Sequence, residues 1–252
     1  MDIDKQKCEQ YLEDEFDDVI WSPSTLKGYS DCPFSFYSQK VLKIKSPENF
    51  YSYMGTGVHQ IFEDYYNVGF GKDLTQEVIS DTMVRKFTKL LAGWEGARPH
   101  GFKKYCDYIL NSFYCFRPLE SFRSIEEEIF FDYKGIKMRG ILDIDIDENY
   151  HGDYKSLWDR SKYEKQQYIY MLAKEAEYGV RPAGFKIFEY KNKMAEVTVD
   201  YDGRTMGGVK RWIVSTVKDV RKALETGEFP LKDKDFHCVT LCRQPNCINS
   251  KW

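Results

Sequence analysis

Three residues near the middle of the chain, Asp143, Asp153 and Lys155, have types and a spacing that could do chemistry. Asp143 closes the run Gly140-Ile-Leu-Asp143, and Asp153-Tyr154-Lys155 follows ten residues later. A turn at Glu148-Asn149 would set positions 143 and 153 nearly opposite each other on adjacent strands. Opposed side chains on one face of a strand pair have Cβ atoms about 4.5–5.5 Å apart. Two carboxylates that close repel unless a cation lies between them, and oxygen ligands of this kind suit Mg²⁺ or Mn²⁺. Lys155, two residues past Asp153, points to the same face. There it could orient or deprotonate a water, or stabilise charge building on a phosphate. The competing reading is a solvated hairpin edge whose Asp and Lys residues blunt strand pairing. Asp145 and Asp147 alternate on the face of Asp143, so the ligand choice stays open.

Two more pairs could join such a centre. In Gly55-Thr-Gly57-Val-His59-Gln-Ile-Phe-Glu63, His59 and Glu63 lie one helical turn apart. His59 borders the apolar stripe, where it is either a satisfied core histidine or a nitrogen ligand. Gln166 and Tyr170 repeat the i, i+4 spacing on a later helix, a pairing that is ordinary on a helix surface. The seven cysteines are unevenly placed, at 8, 32, 106, 115, 238, 242 and 247. The last three crowd the tail, which reads as metal chemistry rather than a disulfide framework.

These residues need elements to hold them. An acidic, partly helical lead-in spans residues 1–20. Pro23-Ser24-Thr25 opens a short helix with Ser24 as its N-cap. Val58, Ile61, Phe62 and Tyr65 give residues 57–68 a buried helical face, and helices near 74–92 and 101–117 form a helical insertion. From about residue 125 the pattern changes to two hairpins, turning at Lys134-Gly135 and Glu148-Asn149. A helix at 161–178, strands at 184–190 and 194–200, and a helix at 204–226 ended by Gly227 and Pro230 follow. The expected fold is α/β: a small mixed sheet flanked by helices, with a helical insertion near 70–120 and a cysteine-bearing tail at 231–252.

The chain has 252 residues, 42% hydrophobic and 31% charged, an ordinary composition with enough apolar side chains for a core. It reads as one domain over residues 1–252. No run of about 18 apolar residues is present, so no membrane span or membrane partner is expected. The acidic start lacks the apolar segment of a secretory leader, and a cytoplasmic setting is expected. With Lys+Arg at 37 against Asp+Glu at 40, the net charge of −3 excludes a globally basic binder. It does not exclude a nucleic-acid enzyme, whose groove alone need be positive. Lys210, Arg211, Lys218, Arg221 and Lys222 on the last long helix are the leading basic group, either a solvated face or a phosphate-contacting one. Nothing reads base edges, so little sequence specificity is expected.

In combination the motifs resemble the RecB-like nuclease domain of the PD-(D/E)XK superfamily, in the same order. Ser24-Thr-Leu26-Lys-Gly-Tyr29-Ser-Asp-Cys32-Pro33 resembles S-x-L-x-x-Y-x-x-C-P, and Gly55 to His59 a G-x-x-x-H motif. Gly140 to Asp143 then stands for G-x-x-D, Asp153 to Lys155 for D-x-K, and Gln166 to Tyr170 for Q-x-x-x-Y. The resemblance implies a PD-(D/E)XK core and a Mg²⁺- or Mn²⁺-dependent deoxyribonuclease, an exonuclease in recombination, repair or viral DNA processing. Its partners would be DNA and a helicase, recombination, CRISPR or viral replication protein. By position, His59, Asp143 and Asp153 would hold the metal, joined by the backbone carbonyl of Tyr154 and by Glu63. Lys155 would position the attacking water, and Gln166 and Tyr170 would steady the site or contact the DNA backbone. The alternative is a catalytically silent, nuclease-like subunit that grips DNA ends or scaffolds a complex.

Cys32 and Cys238-x3-Cys242-x4-Cys247 supply four thiolates, the count for a [4Fe–4S] cluster or a structural Zn²⁺. The AddB subunit and the iron–sulfur CRISPR-associated nucleases are similar in joining one early cysteine to a C-terminal trio. Their usual trio is C-x2-C-x5-C, and this one keeps the overall span with shifted spacing. His237 could replace a thiolate in a zinc site. The implied cluster is structural, closing a loop of roughly 200 residues.

Overall fold

The structure is a computed structural model and describes residues 3–67, 74–233, 238, 247 and 249. The chain divides into two compact units. The one that carries the candidate centre comprises Asn49–Ile129 and Ile141–Tyr201.

In that unit α4 (Phe50–Asn67) places Phe50, Met54, Val58, Ile61, Phe62 and Tyr65 in the interior. These positions recur every three or four residues and make one continuous stripe. The helix starts seven residues before the expected residue 57. Gly55 and Gly57 hide the start, since glycine is a poor helix former. A Cβ on Gly57 would strike the Leu90 side chain of α5 (Gln76–Ala92), so this glycine lets two helices approach closely. With α6 (Phe102–Cys115), the three helices build a core from Phe62, Phe87, Ile109 and Phe113 that also receives Ile144, Tyr154 and Phe188 from the sheet.

The mixed sheet has the strand order β1-β2-β3-β4-β5: β1 Ser124–Tyr133, β2 Ile136–Asp145, β3 Tyr150–Lys155, β4 Gly184–Glu189 and β5 Ala195–Asp200. Lys134 (φ 54°) and Gly135 (φ 78°) join β1 to β2, the left-handed pair that a two-residue hairpin turn requires. The next turn is built by Asp147, whose carboxylate accepts from the backbone N–H groups of Asn149 (2.7 Å) and Tyr150 (2.9 Å). This local capping keeps the turn tight. β3 and β4 are parallel, as a helical crossover demands. That crossover is α7 (Arg160–Tyr178).

The other unit comprises Met1–Glu48, Phe130–Gly140 and Asp202–Trp252. It contains α1 (Lys5–Asp14), α2 (Pro23–Asp31), the short α3 (Pro33–Phe36) and α8 (Gly203–Thr226). α8 buries Met206, Val209, Ile213, Val220 and Leu224 and ends at Gly227 with φ 71°. The cap of α2 is Ser22, whose side chain accepts from the N–H of Thr25, and not the expected Ser24. Pro23 has no N–H to donate and fits the first helical position, which moves the cap one residue before it. Among the described residues no helix is long and apolar enough to cross a membrane.

Candidate metal centre

The centre sits where β2 and β3 stop pairing. Their antiparallel register matches Asp145 with His151 and Ile144 with Gly152, and one step further leads to Asp143 and Asp153. Asp143 Oδ2 accepts from the backbone N–H of Tyr154 at 2.9 Å. Asp153 is fully buried, and its Oδ1 accepts from Lys155 Nζ at 2.7 Å. The Tyr154 ring points to the opposite face and stacks on Phe62 of α4 (4.3 Å, 16°), which anchors the strand end against the helical core.

α4 brings the histidine. His59 lies three residues before Phe62, so both reach the same strand end. Its ring meets Tyr154 edge-on at 6.2 Å, and its Nδ1 lies 3.2 Å from Asp143 Oδ2. A fourth group, Glu126 at the start of β1, is one that sequence reasoning missed. Ligand atoms of His59, Glu126 and Asp143 all lie within 4.8 Å of one another, the donor group that could hold a metal ion among the described residues. Glu126 has φ 50°, a left-handed backbone inside a strand. Such strain in a non-glycine residue costs on the order of 1–3 kcal/mol and clusters at functional sites. In the sequence it is one of three consecutive glutamates, and no periodicity marks which of them turns inward. Gly55, Thr56, His59, Gln60, Glu63 and Glu126 line a cleft of about 370 Å³. Glu63 lies on its wall, accepting from Asn67 Nδ2 at 3.2 Å.

The protonation pattern is that of crowded negative charge. Burial, then Asp143, pushes the Asp153 carboxyl well above its ordinary range. Burial would also raise Asp143, but His59 outweighs it and holds that carboxyl far down. Glu126 is pushed up to about 7 by burial and by Asp143. Burial would lower both His59 and Lys155. Asp143 more than reverses this for His59, and Asp153 with Asp143 does so for Lys155, so both cations are favoured. Carboxylates this close share protons unless positive charge enters among them. One imidazole nitrogen and several carboxylate oxygens form a donor set that suits a divalent cation such as Mg²⁺ or Mn²⁺.

α7 supplies the remaining candidates. Gln166 Nε2 donates to Tyr170 Oη at 2.6 Å, so the expected pair meets, but with each other. The amide that reaches the centre is that of Gln167, which donates to Asp153 Oδ2. Tyr170 is buried with its ring edge against His151 (5.8 Å), and its phenol is pushed up by burial and then by Asp153 and Asp143. Asp145, the open alternative from the sequence, is fully buried against Lys174 Nζ and Tyr178 Oη. Asp147 is committed to its turn.

Cys32, Cys238 and Cys247 are in no disulfide among the described residues, and Cys238 Sγ lies 3.8 Å from the Asp233 carbonyl oxygen. Among the described residues they form no group that could hold a metal, and Cys242 lies outside the described residues. On α8, Arg211, Lys218, Arg221 and Lys222 are exposed and Lys210 is half-buried. Arg221 is committed to Asp17 at 2.7 Å and lies over the Phe16 ring, while Lys210 lies over the Tyr133 ring.

Compared with known proteins, residues 20–247 match the family model of the PD-(D/E)XK nuclease superfamily. No curated protein matches. Among solved structures, the crystal structure of a "Putative exonuclease" from Eubacterium rectale is similar, with a TM-score of 0.56. The likeness covers 95% of this chain and 93% of that one at 13% identity, and at that identity it concerns the fold.

Proposed function

The chain belongs to the PD-(D/E)XK nuclease superfamily, and from that premise we propose that it is a Mg²⁺- or Mn²⁺-dependent deoxyribonuclease, acting as an exonuclease in DNA processing. The observation that carries this reading is the convergence of His59, Glu126, Asp143, Asp153 and Lys155 at one strand end, beside an open cleft. His59, Glu126, Asp143 and Asp153 would hold the cation, with the Tyr154 carbonyl and Glu63 as further oxygen donors. When bound, a cation in such a site polarises the phosphodiester and stabilises charge on its oxygens. Lys155 is held charged beside two carboxylates. From there it is placed to orient the attacking water or a phosphate oxygen. Gln166 and Tyr170 steady this wall of the site. The similar structure's description as an exonuclease supports the choice of exonuclease. The exposed basic residues of α8 are the proposed phosphate contacts, and a helicase or other recombination, repair, CRISPR or viral replication protein is the proposed partner class.

A [4Fe–4S] cluster on Cys32, Cys238, Cys242 and Cys247, as in AddB-like nucleases, is proposed from ligand type, number and order. Structural Zn²⁺ is its alternative. The described cysteines do not gather, so no step of the reaction is assigned to it.

The test is end-labelled single- and double-stranded DNA incubated with Mg²⁺ or Mn²⁺ against an EDTA control. Metal-dependent shortening from one end is expected, with cleavage lost in Asp153→Ala and in Lys155→Ala while both remain folded. Undiminished cleavage in both variants would overturn the assignment. Absence of cleavage in the intact protein, with DNA ends still bound, would favour the silent end-binding subunit.

A further inference from the structure

The buried partner of Asp153 belongs to none of the motifs. Gln167 has no solvent exposure, and its amide nitrogen donates to Asp153 Oδ2. Its carbonyl Oε1 faces His151 Nε2 at 2.9 Å. His151 is equally buried, stacked on Phe185 (5.8 Å, 26°) with Tyr170 edge-on to it. Its Nδ1 has no hydrogen-bond partner.

The direction of this chain follows from elementary chemistry. A carboxylate oxygen accepts, so the nitrogen of Gln167 must face Asp153. The amide oxygen is then turned to His151, which must carry its proton on Nε2. Both oxygens of Asp153 are thereby tied, Oδ1 by Lys155 and Oδ2 by Gln167. The carboxylate is thereby fixed in orientation, and its remaining lone pairs are left for the cation.

A buried Gln–His pair is costly to desolvate, and apolar residues would fill the same volume with less risk of an unpaired group. What the pair adds is direction, since outer hydrogen-bond partners fix the orientation of metal-ligating side chains.

We propose that Gln167, oriented by His151, is the positioning residue that fixes the Asp153 carboxylate for divalent-cation binding. This rests on the reading of Asp153 as a metal ligand. The test measures Mn²⁺ affinity of the full chain without DNA, by calorimetry, alongside the melting temperature in EDTA. Gln167→Met keeps the length and volume of the side chain and removes the amide. It is expected to weaken Mn²⁺ binding by about 10–100-fold, the usual effect of losing such a partner, and to lower the melting temperature because His151 Nε2 and Asp153 Oδ2 lose a buried partner. His151→Phe keeps the stacking on Phe185 and removes the Nε2 donor. A smaller loss of the same kind is expected, and the double variant should be no weaker than Gln167→Met alone, because His151 acts through Gln167.

Wild-type affinity in Gln167→Met, with binding abolished in Asp153→Asn, would overturn the proposal. Fully additive losses would overturn the order of the chain. Unchanged Mn²⁺ binding in Asp153→Asn would overturn the reading of the site itself, and this proposal with it. Should Gln167→Met fold poorly, His151→Phe still decides, since wild-type affinity there would refute its part.

Discussion

Replacing Lys174 with methionine should cost stability far beyond an ordinary helix substitution. Lys174 has no solvent exposure, and its ammonium donates to Asp145 Oδ1, to the carbonyl of Asp147 and to that of Tyr150 at 3.0 Å. Asp145 is also fully buried and keeps only the Tyr178 hydroxyl as a side-chain partner once the lysine is gone. Removing one member of a buried pair leaves an uncompensated charge and costs about 3–5 kcal/mol. At an m-value of about 2–3 kcal/mol/M in urea this moves the midpoint by about 1–2.5 M. Burial depresses the Lys174 pKa, and Asp145 only partly counters it, so desolvation exceeds the attraction between them. An apolar pair should therefore be far better tolerated than a broken one. Lys174→Met/Asp145→Leu is expected to recover most of the loss, a coupling that urea denaturation of the two single variants and the double variant reads directly. A Lys174→Met cost below about 1 kcal/mol, or single-variant losses that simply add, would refute the reasoning.

Glu126→Gly relieves a φ of 50° and should raise stability by about 1 kcal/mol while weakening Mn²⁺ binding. Glu126→Gln should weaken binding without the gain, and calorimetry with thermal melting separates the two. His151 has its pKa lowered to about 4 from an ordinary 6.5, so the unfolded chain takes up the proton first as pH falls. Its contribution is intact above pH 6.5 and lost by pH 4, about 3 kcal/mol over that window. Between pH 6.5 and 4 the wild type should lose about 3 kcal/mol of stability relative to His151→Phe in EDTA, and parallel curves would exclude it. Cys242→Ser should lose iron and acid-labile sulfide from anaerobically purified protein and lower its melting temperature, and unchanged iron content would remove the cluster proposal.

Where a residue pattern reports a physical requirement, the sequence was easy to read. The stripe Val58, Ile61, Phe62 and Tyr65 of α4 is buried as its period demands, and Lys134-Gly135 turns because both positions need positive φ. The strand ends carrying Asp143 and Asp153 come together because Asp147 holds the turn tight, a capping role visible only once the turn exists. Glu126 was not legible, since its inward aim depends on one left-handed residue inside a strand. Ser22 was missed for a simpler reason: Pro23, not the serine after it, takes the first helical position.

The misplacement of the glutamine has a deeper cause. Residues Gln167 to Lys174 of α7 are all buried, so apolar periodicity cannot say which side faces the sheet. One residue on a helix is a rotation of about 100°, enough to turn Gln166 toward Tyr170 and Gln167 toward Asp153. The side that meets β2 and β3 is polar: Gln167, Lys174 and Tyr178 recur at intervals of seven and four, and they face Asp153, His151 and Asp145. A seam of this kind inverts the usual pattern, with an apolar helix side replaced by hydrogen-bonded groups inside the core. It is the less stable choice by general energetics. Its two ends act on the same hairpin, Gln167 on the carboxylate of Asp153 and Lys174 on the carbonyls of the Asp147 turn that sets Asp143 opposite it. α7 therefore works as a template for two acidic side chains. Apolar replacements along it should raise stability only when made in pairs, and should loosen the cation site whenever Gln167 is among them.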